Sequence, residues 1–347
     1  MRSFDYKHYK DMVWDVELIN MVSRIHEYKG RQELYLHQKP EILDKLVEVA
    51  KIQSTESSNK IEGIVTTRTR LKKIYEDKTS PKNRDEEEIM GYRNVLNTIH
   101  ENYSYIPIRS SYMLQLHKEL YRYSSKGIGG SFKNTQNIIA KTLSDGTSSV
   151  LFTPLAPYET PEAIEAICQS FNQMIEENDF PALLLIPIFI LDFLCIHPFN
   201  DGNGRMSRLL TTLLLYRQGY VVGKYISIEK LIEESKVTYY EVLEESDLGW
   251  HQEENNPLPF IKYFLRIILA AYREFEERVD IFTDRKSAYE QVKSAVESQF
   301  GKFSKSDIME LCPALSVSSV ESSLRNLIEE NQIERHGQGK STYYLRT

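Results

Sequence analysis

The sequence predicts a mainly α-helical protein with one small β-hairpin in its middle and, at its C-terminus, a separate unit of three helices closed by a second hairpin. Three observations carry that expectation. Apolar residues recur at helical spacing through most of the 347 residues. Strand-like character is confined to short runs at Asn137–Lys141, Ser149–Phe152, Ile333–Arg335 and Thr342–Leu345. Turn residues join each pair of runs, Ser144-Asp145-Gly146-Thr147 in one case and Gly337-Gln338-Gly339-Lys340 in the other. With 41% hydrophobic residues the chain can bury a large core, and its length suits two or three units.

Taken in order, residues 1–105 read as an N-terminal helical region. Helical periodicity covers Tyr6–Lys29 and Glu41–Ile52, the second run continuing into Ser57-Ser58-Asn59-Lys60-Ile61-Glu62-Gly63. A charged, proline-containing loop at Asp77–Asp85 follows, and then a helix over Glu86–Tyr103. Residues 106–280 read as the core. Ser110–Tyr123 is helical, Gly127–Pro157 breaks the pattern into the central hairpin, and Pro181–Ile196 is apolar enough to be a buried central helix. Lys224–Ser246 and Pro259–Asp280 continue the helical pattern. Residues 285–347 form the last unit, with helices over Ala288–Phe300, Lys305–Cys312 and Ser318–Glu329.

A net charge of −7 argues against the whole molecule tracking nucleic acid. The C-terminal unit holds nine Lys/Arg against eight Asp/Glu, and the helix that would enter a groove carries Glu321, Glu329 and Glu330 beside Arg325. That balance favours a protein-contact or dimerisation module and leaves DNA binding open. Cys168, Cys195 and Cys312 are widely spaced and read as buried thiols in a reducing compartment. No secretory signal opens the sequence, and Pro181–Ile196 falls short of the ~20 residues a membrane span requires. The expectation is a cytoplasmic protein without a membrane partner.

The chemistry concentrates in His197-Pro-Phe-Asn-Asp-Gly-Asn-Gly-Arg-Met-Ser-Arg208. His197 can accept a proton, Asp201 can hold a divalent cation, and Arg205 and Arg208 can clamp phosphate charge. Gly202 and Gly204 allow a close approach to the backbone, and the apolar-periodic run from Met206 starts a helix there. A helix start presents unpaired N–H groups and partial positive charge, which suits a nucleotide phosphate. Base, metal carboxylate, anion loop and cations also stand in the order needed when attacking oxygen, metal and leaving group lie along one line.

This stretch resembles the signature of the Fic family, His-Pro-Phe-x-(Asp/Glu)-Gly-Asn-Gly-Arg-x-x-Arg, at every fixed position. The resemblance implies a Fic-type helical core with a β-hairpin flap, a C-terminal winged helix, and transfer of AMP from ATP to a hydroxyl side chain of a target protein. By position it implies that His197 is the base, Phe199 packs under the loop, and Asp201 ligates Mg²⁺. Gly202, Asn203 and Gly204 would line the anion hole, Asn203 with a side-chain donor, while Arg205 holds the β-phosphate and Arg208 the γ-phosphate. The flap would be residues 138–152, with Ile138, Ile139 and Phe152 docking the target by strand addition. Lys133 stands where relatives often carry arginine. A Leu116-His117 pair also resembles a common feature of the core, and His117 is read as structural. Relatives commonly dimerise, although no segment here marks a homodimer.

Ser58 and Glu62 lie four apart and share a helix face, with Gly63 as the terminating residue. A carboxylate in a last helical turn opposes the macrodipole by ~0.3–1 kcal/mol and calls for an external cation. The pattern resembles the inhibitory (Ser/Thr)-x-x-x-Glu-(Gly/Asn) motif of Fic proteins, placed ahead of the core as in class II. It implies that Glu62 pairs with Arg208 and silences the resting enzyme. Three alternatives stand beside this reading: a nucleotide-responsive DNA-binding regulator acting through the winged helix, a hydrolase that removes AMP using Glu62, and a kinase-like phosphoryl transferase. Relatives of the last kind usually depart from Gly-Asn-Gly, which is intact here.

Overall fold

The computed structural model describes residues 2–38, 40–76, 78–125, 127–142, 148–283, 287–299, 301–313 and 315–347. The chain begins with a 3₁₀ turn at Tyr6–Asp11 rather than the continuous helix expected over Tyr6–Lys29. Residues 12–15 break it, because Asp15 caps a new helix by accepting from the Leu18 amide at 2.9 Å while Trp14 turns onto Phe180. Helix α1 then runs over Val16–Gln38 and α2 over Pro40–Ile61, so that Ser58 sits in the last turns of one unbroken helix. Gly63 follows with φ +78° in the left-handed region, as the sequence requires of a terminator.

Two helices exceed the sequence expectation. Helix α3 (Arg68–Tyr75) starts at Thr67, whose hydroxyl accepts from the Arg70 amide. Arg70 in turn reaches Glu86 at 2.6 and 2.9 Å. Helix α4 (Arg84–Asn102) is capped by Asn83 and packs on α5 (Ser110–Leu120). Gly91 is the point of closest approach between these two, since a Cβ there would collide with the Leu120 carbonyl. A Gly91→Ala protein should therefore be destabilised by about 1–3 kcal/mol, read as a lower denaturant midpoint. An unchanged midpoint would show that α4 and α5 are free to separate.

The central hairpin pairs β1 (Ile139–Thr142) antiparallel with β2 (Ser148–Phe152) and carries a register irregularity between Ile139 and Ala140. The expected turn at Ser144–Thr147 lies outside the described residues. Helix α6 (Thr160–Glu177), the second unanticipated element, has proline in its first turn. It covers α7 (Ala182–Ile196), in which every residue but Ala182 and Leu194 is buried. Helix α8 (Asn203–Arg217) follows, then α9 (Ile228–Glu234), α10 (Lys236–Asp247) and the long α11 (Leu258–Thr283). One hydrophobic cluster runs from Phe4 to Val279, so the N-terminal helices and the core bury their apolar faces together.

The C-terminal unit has its own cluster, from Val292 to Tyr344. It consists of α12 (Ala288–Glu297), α13 (Lys305–Leu311), α14 (Val317–Glu329) and a hairpin of β3 (Ile333–His336) with β4 (Tyr343–Arg346), to which Phe303 adds a bridge at Tyr344. Ser287 and Ser304 open the first two helices with capping boxes. Arg285, where the sequence analysis begins this unit, lies outside the described residues. Glu310 of α13 accepts from Gln53 of α2 at 2.9 Å and pairs with Arg68.

Candidate functional site

Helix α7 ends at His197, and α8 begins six residues later at Asn203, so the intervening loop is stretched between two buried helices. His197 itself is left-handed, with φ 53° and ψ 63°. For a residue with a Cβ such a conformation is strained, and it persists only when the surroundings over-determine it. Here they do. The His197 amide donates to the Phe193 carbonyl at 2.9 Å, closing α7, and Lys133 donates its Nζ to the Ile196 carbonyl at 2.8 Å. Lys133 is buried, which pushes its ammonium down to about 8. Lys133 thus serves as a strut beneath the histidine.

His197 Nδ1 lies 3.2 Å from the Leu194 carbonyl, a partner that accepts only, so the ring carries its proton on Nδ1 and offers Nε2 as a lone pair. Burial holds the imidazole down to about 4, and the Leu194 carbonyl opposes that shift only in part. His197 is therefore a neutral base at physiological pH. In the free protein its lone pair should stay available as pH falls through the ordinary histidine range near ~6.5, and should be lost only near 4. An activity profile with an acid limb near 6.5 assigned to His197 would contradict this. The same depression makes the unfolded ring the better proton acceptor between those values, so this histidine costs stability as pH drops from 6.5 towards 4 and is neutral in effect above 6.5.

Phe199 is fully buried beneath the loop and stacks on His117, with ring centroids 3.7 Å apart and planes 4° from parallel. His117, also fully buried, accepts the Gly130 amide on Nδ1 and directs Nε2 at the Asp201 carbonyl at 3.1 Å. Burial pushes this ring down to about 4 as well, so it is a neutral pin between loop and hairpin stem, in keeping with a structural part. Asn203 lies at the loop with its amide folded back. Its Oδ1 accepts from the Phe199 amide at 2.9 Å and its Nδ2 donates to the Phe199 carbonyl at 2.7 Å. The side chain expected to project a donor at the anion is thus engaged in holding the loop's shape. Gly202 has φ +85°, and a Cβ there would meet Tyr121 Oη at 2.9 Å. Both facts explain glycine at this position.

The two arginines leave α8 in different directions. Arg205 is buried, 2.7 Å from Glu88 and 2.7 Å from Tyr121 Oη. Glu88 and Tyr121 were not singled out from the sequence; each is more than eighty positions away from Arg205, and no local signal marks them. Arg208 is 3% exposed and donates Nε to Ser58 Oγ at 2.8 Å and Nη2 to both the Ser58 carbonyl at 2.9 Å and Glu62 Oε1 at 2.7 Å. Burial works against its charge, but Glu62, Tyr239 and Tyr92 hold the guanidinium charged well above its ordinary range. Glu62 also leans over the start of α8, where a Cβ on Gly204 would collide with its Oε1. Its carboxylate therefore occupies the ground in front of the helix N-terminus, where an anion is favoured.

These residues surround a cavity of ≈ 740 Å³, large enough for a nucleotide-sized ligand. His197, Asp201, Gly202, Gly204, Arg205 and Arg208 line one end together with Glu62. Helix α10 supplies another wall with Val237, Tyr239, Tyr240 and Leu243, and the hairpin contributes Ile139 and Phe152. Phe152 is 8% exposed and stacks on His251, so it anchors the hairpin, whereas Ile138 is 60% exposed on its outer side. Asp201 keeps 40% of its side chain exposed, 4.0 Å from Arg205. Among the described residues no group of three or more His, Cys, Asp or Glu is placed to hold a metal ion by itself.

A helical core, a hairpin that lines the cavity and a histidine-to-arginine loop at a helix start together define the architecture of this site. Residues 107–215 match the model of the Fic/DOC family. It is 24% identical over 236 residues to a protein adenylyltransferase Fic of Nematostella vectensis, covering 65% of this chain and 48% of that protein. It is 34% identical over 98 residues to a probable protein adenylyltransferase of Aquifex aeolicus, covering 26% of this chain and 30% of that one. The chain spans about half or less of the length of the curated relatives it matches. Among solved structures, a Fic family protein of Desulfovibrio desulfuricans G20 superposes with a TM-score of 0.61 at 20% identity, over 97% of both chains. Fic-1 of Caenorhabditis elegans superposes with a TM-score of 0.60 at 17% identity, over 77% of this chain and 74% of that one. The fold is the mainly α Fic architecture with a hairpin flap.

Proposed function

We propose that this chain is a self-inhibited protein adenylyltransferase of the class II arrangement. It transfers AMP from ATP to a Ser, Thr or Tyr hydroxyl of a target protein, and to its own hydroxyls when no target is present. The observation that carries this reading is the pairing of Arg208 with Glu62 at 2.7 Å in the cavity that His197 also lines. A target hydroxyl placed at His197 gives its proton to Nε2 as its oxygen attacks the α-phosphorus. The bond from the α-phosphorus to the bridging oxygen breaks, and pyrophosphate leaves toward Arg205 and Arg208. The amides of Gly202–Gly204 receive charge on the α-phosphate, Asn203 acting through the loop shape it maintains.

Asp201 fits a Mg²⁺ ion, because its exposed carboxylate faces the cavity and this ion is commonly held by one or two carboxylates together with substrate phosphates. When bound, Mg²⁺ neutralises phosphate charge. The target segment adds as a strand to the hairpin beside Ile138 and Ile139, with Phe152 fixing the hairpin from beneath. The three buried, unpaired cysteines support a cytoplasmic setting. Residues 285–347 serve as a winged-helix module for protein contact.

Because Glu62 lines the same cavity as His197, a second reading is that it also orients a water that removes AMP from modified protein. A Glu62→Gly protein incubated with Mg²⁺ and ATP labelled at the α-phosphate should acquire protein-bound label. ATP labelled at the γ-phosphate should transfer none. Label arriving from the γ-position alone would overturn adenylylation in favour of phosphoryl transfer.

A further inference from the structure

Arg84 opens α4, on the far side of the cavity from α10 and outside both the signature and residues 107–215. Its side chain is 63% exposed, lines the cavity and points its Nη2 at Asp201 Oδ2, 3.9 Å away. Its Nε donates to Glu88 Oε1 at 2.8 Å, and Glu88 through its other oxygen pairs with Arg205 at 2.7 Å. Glu88 is 1% exposed, so one buried carboxylate bridges two guanidiniums. Arg205 by itself is thereby neutralised. The triad of Arg84, Glu88 and Arg205 carries one net positive charge, and it faces the end of the cavity where Asp201 and the start of α8 lie. Arg205 Nε and Nη1 meet no acceptor among the described residues, although both are buried. Buried donors of that kind call for an anionic ligand.

We propose that Arg84 is a third phosphate-binding cation of this site, holding the β- and γ-phosphates of ATP and steadying the pyrophosphate as it leaves. The proposal rests on the nucleotide-transfer reading given above. Glu88 sets the position of both guanidiniums. Among the described residues Arg84 hydrogen-bonds through Nε, and its Nη2 is turned toward Asp201. It reaches the phosphate tail and not the base, because Val237, Tyr239, Tyr240 and Leu243 wall the cavity from α10 instead.

The test compares Arg84→Ala and Arg84→Lys in the Glu62→Gly background, where Arg208 has lost its carboxylate partner, by calorimetric titration with ATP and with AMP in Mg²⁺. Arg84→Ala should weaken ATP by about tenfold, the equivalent of ~1.4 kcal/mol, and leave AMP unchanged, since AMP lacks the phosphates concerned. Arg84→Lys should recover part of the loss. Equal ATP affinity in all three proteins, or equal weakening of ATP and AMP, would overturn the assignment of Arg84 while sparing the nucleotide site. No ATP binding by the Glu62→Gly parent would remove the nucleotide-transfer reading, and the role of Arg84 with it.

Discussion

Replacing Glu62 with glycine will raise labelling of protein from α-labelled ATP on the order of 10²-fold over the unaltered chain. The size follows from the competition at Arg208. In the resting protein its guanidinium is 3% exposed and held by Glu62 and Ser58 on three hydrogen bonds. Removing one partner of a buried ion pair typically costs about 3–5 kcal/mol. A γ-phosphate seated at Arg208 must displace Glu62 and restore that interaction itself. Without Glu62 it meets an unpaired cation instead, and ~3 kcal/mol of competition corresponds to roughly 10²-fold in productive complex. The space over Gly204 opens at the same time. Label incorporation and ATP affinity should rise together, and a Glu62→Gly protein as inactive and as weak in ATP binding as its parent would end the case for self-inhibition.

His197→Ala in that background will lower labelling by about 10²–10⁴-fold relative to the Glu62→Gly rate, while nucleotide affinity stays close to that of its parent. The separation matters because the alanine removes the base and leaves the phosphate contacts of Arg205 and Arg208 untouched. Alanine also relaxes little of the strained backbone, so the Gly202–Gly204 loop should keep its shape. The measurement pairs the rate of label transfer with a calorimetric Kd for ATP. Undiminished transfer would assign the proton to another acceptor.

The site was legible where its parts are contiguous. His197, Asp201, Gly202, Asn203, Gly204, Arg205 and Arg208 lie within twelve residues, and the structure gathers them at one end of one cavity. Ser58 and Glu62 were legible through their four-residue spacing, which α2 turns into one face directed at Arg208. The C-terminal helices were equally plain, because serine caps and turn glycines punctuate them.

What escaped depends on distance along the chain or on local competition. Nothing beside Glu88 or Tyr121 announces that they converge on Arg205. The break at residues 12–15 arises because Asp15 competes as a helix cap and Trp14 seeks Phe180, neither of which a periodicity count registers. Helix α3 is short, and its apolar face rests on only two buried residues, Leu71 and Ile74. The orientation of the Asn203 amide was equally out of reach, for composition specifies a donor but not where it points.

Helix α2 has a mechanical consequence for the proposed self-inhibition. Leu43, Leu46 and Ile61 root it in the main apolar cluster, and it packs along α4 and α9. Withdrawing the whole rod would expose that greasy seam to water, a heavy penalty for a routine signal. Glu62, at 32% exposure just past the rod's tip, has room to rotate where its anchorage does not. If Glu62 silences the chain as proposed, its release needs only the swing of one carboxylate on a stationary post, within the time a side chain needs to turn, and the cavity wall can stay standing throughout.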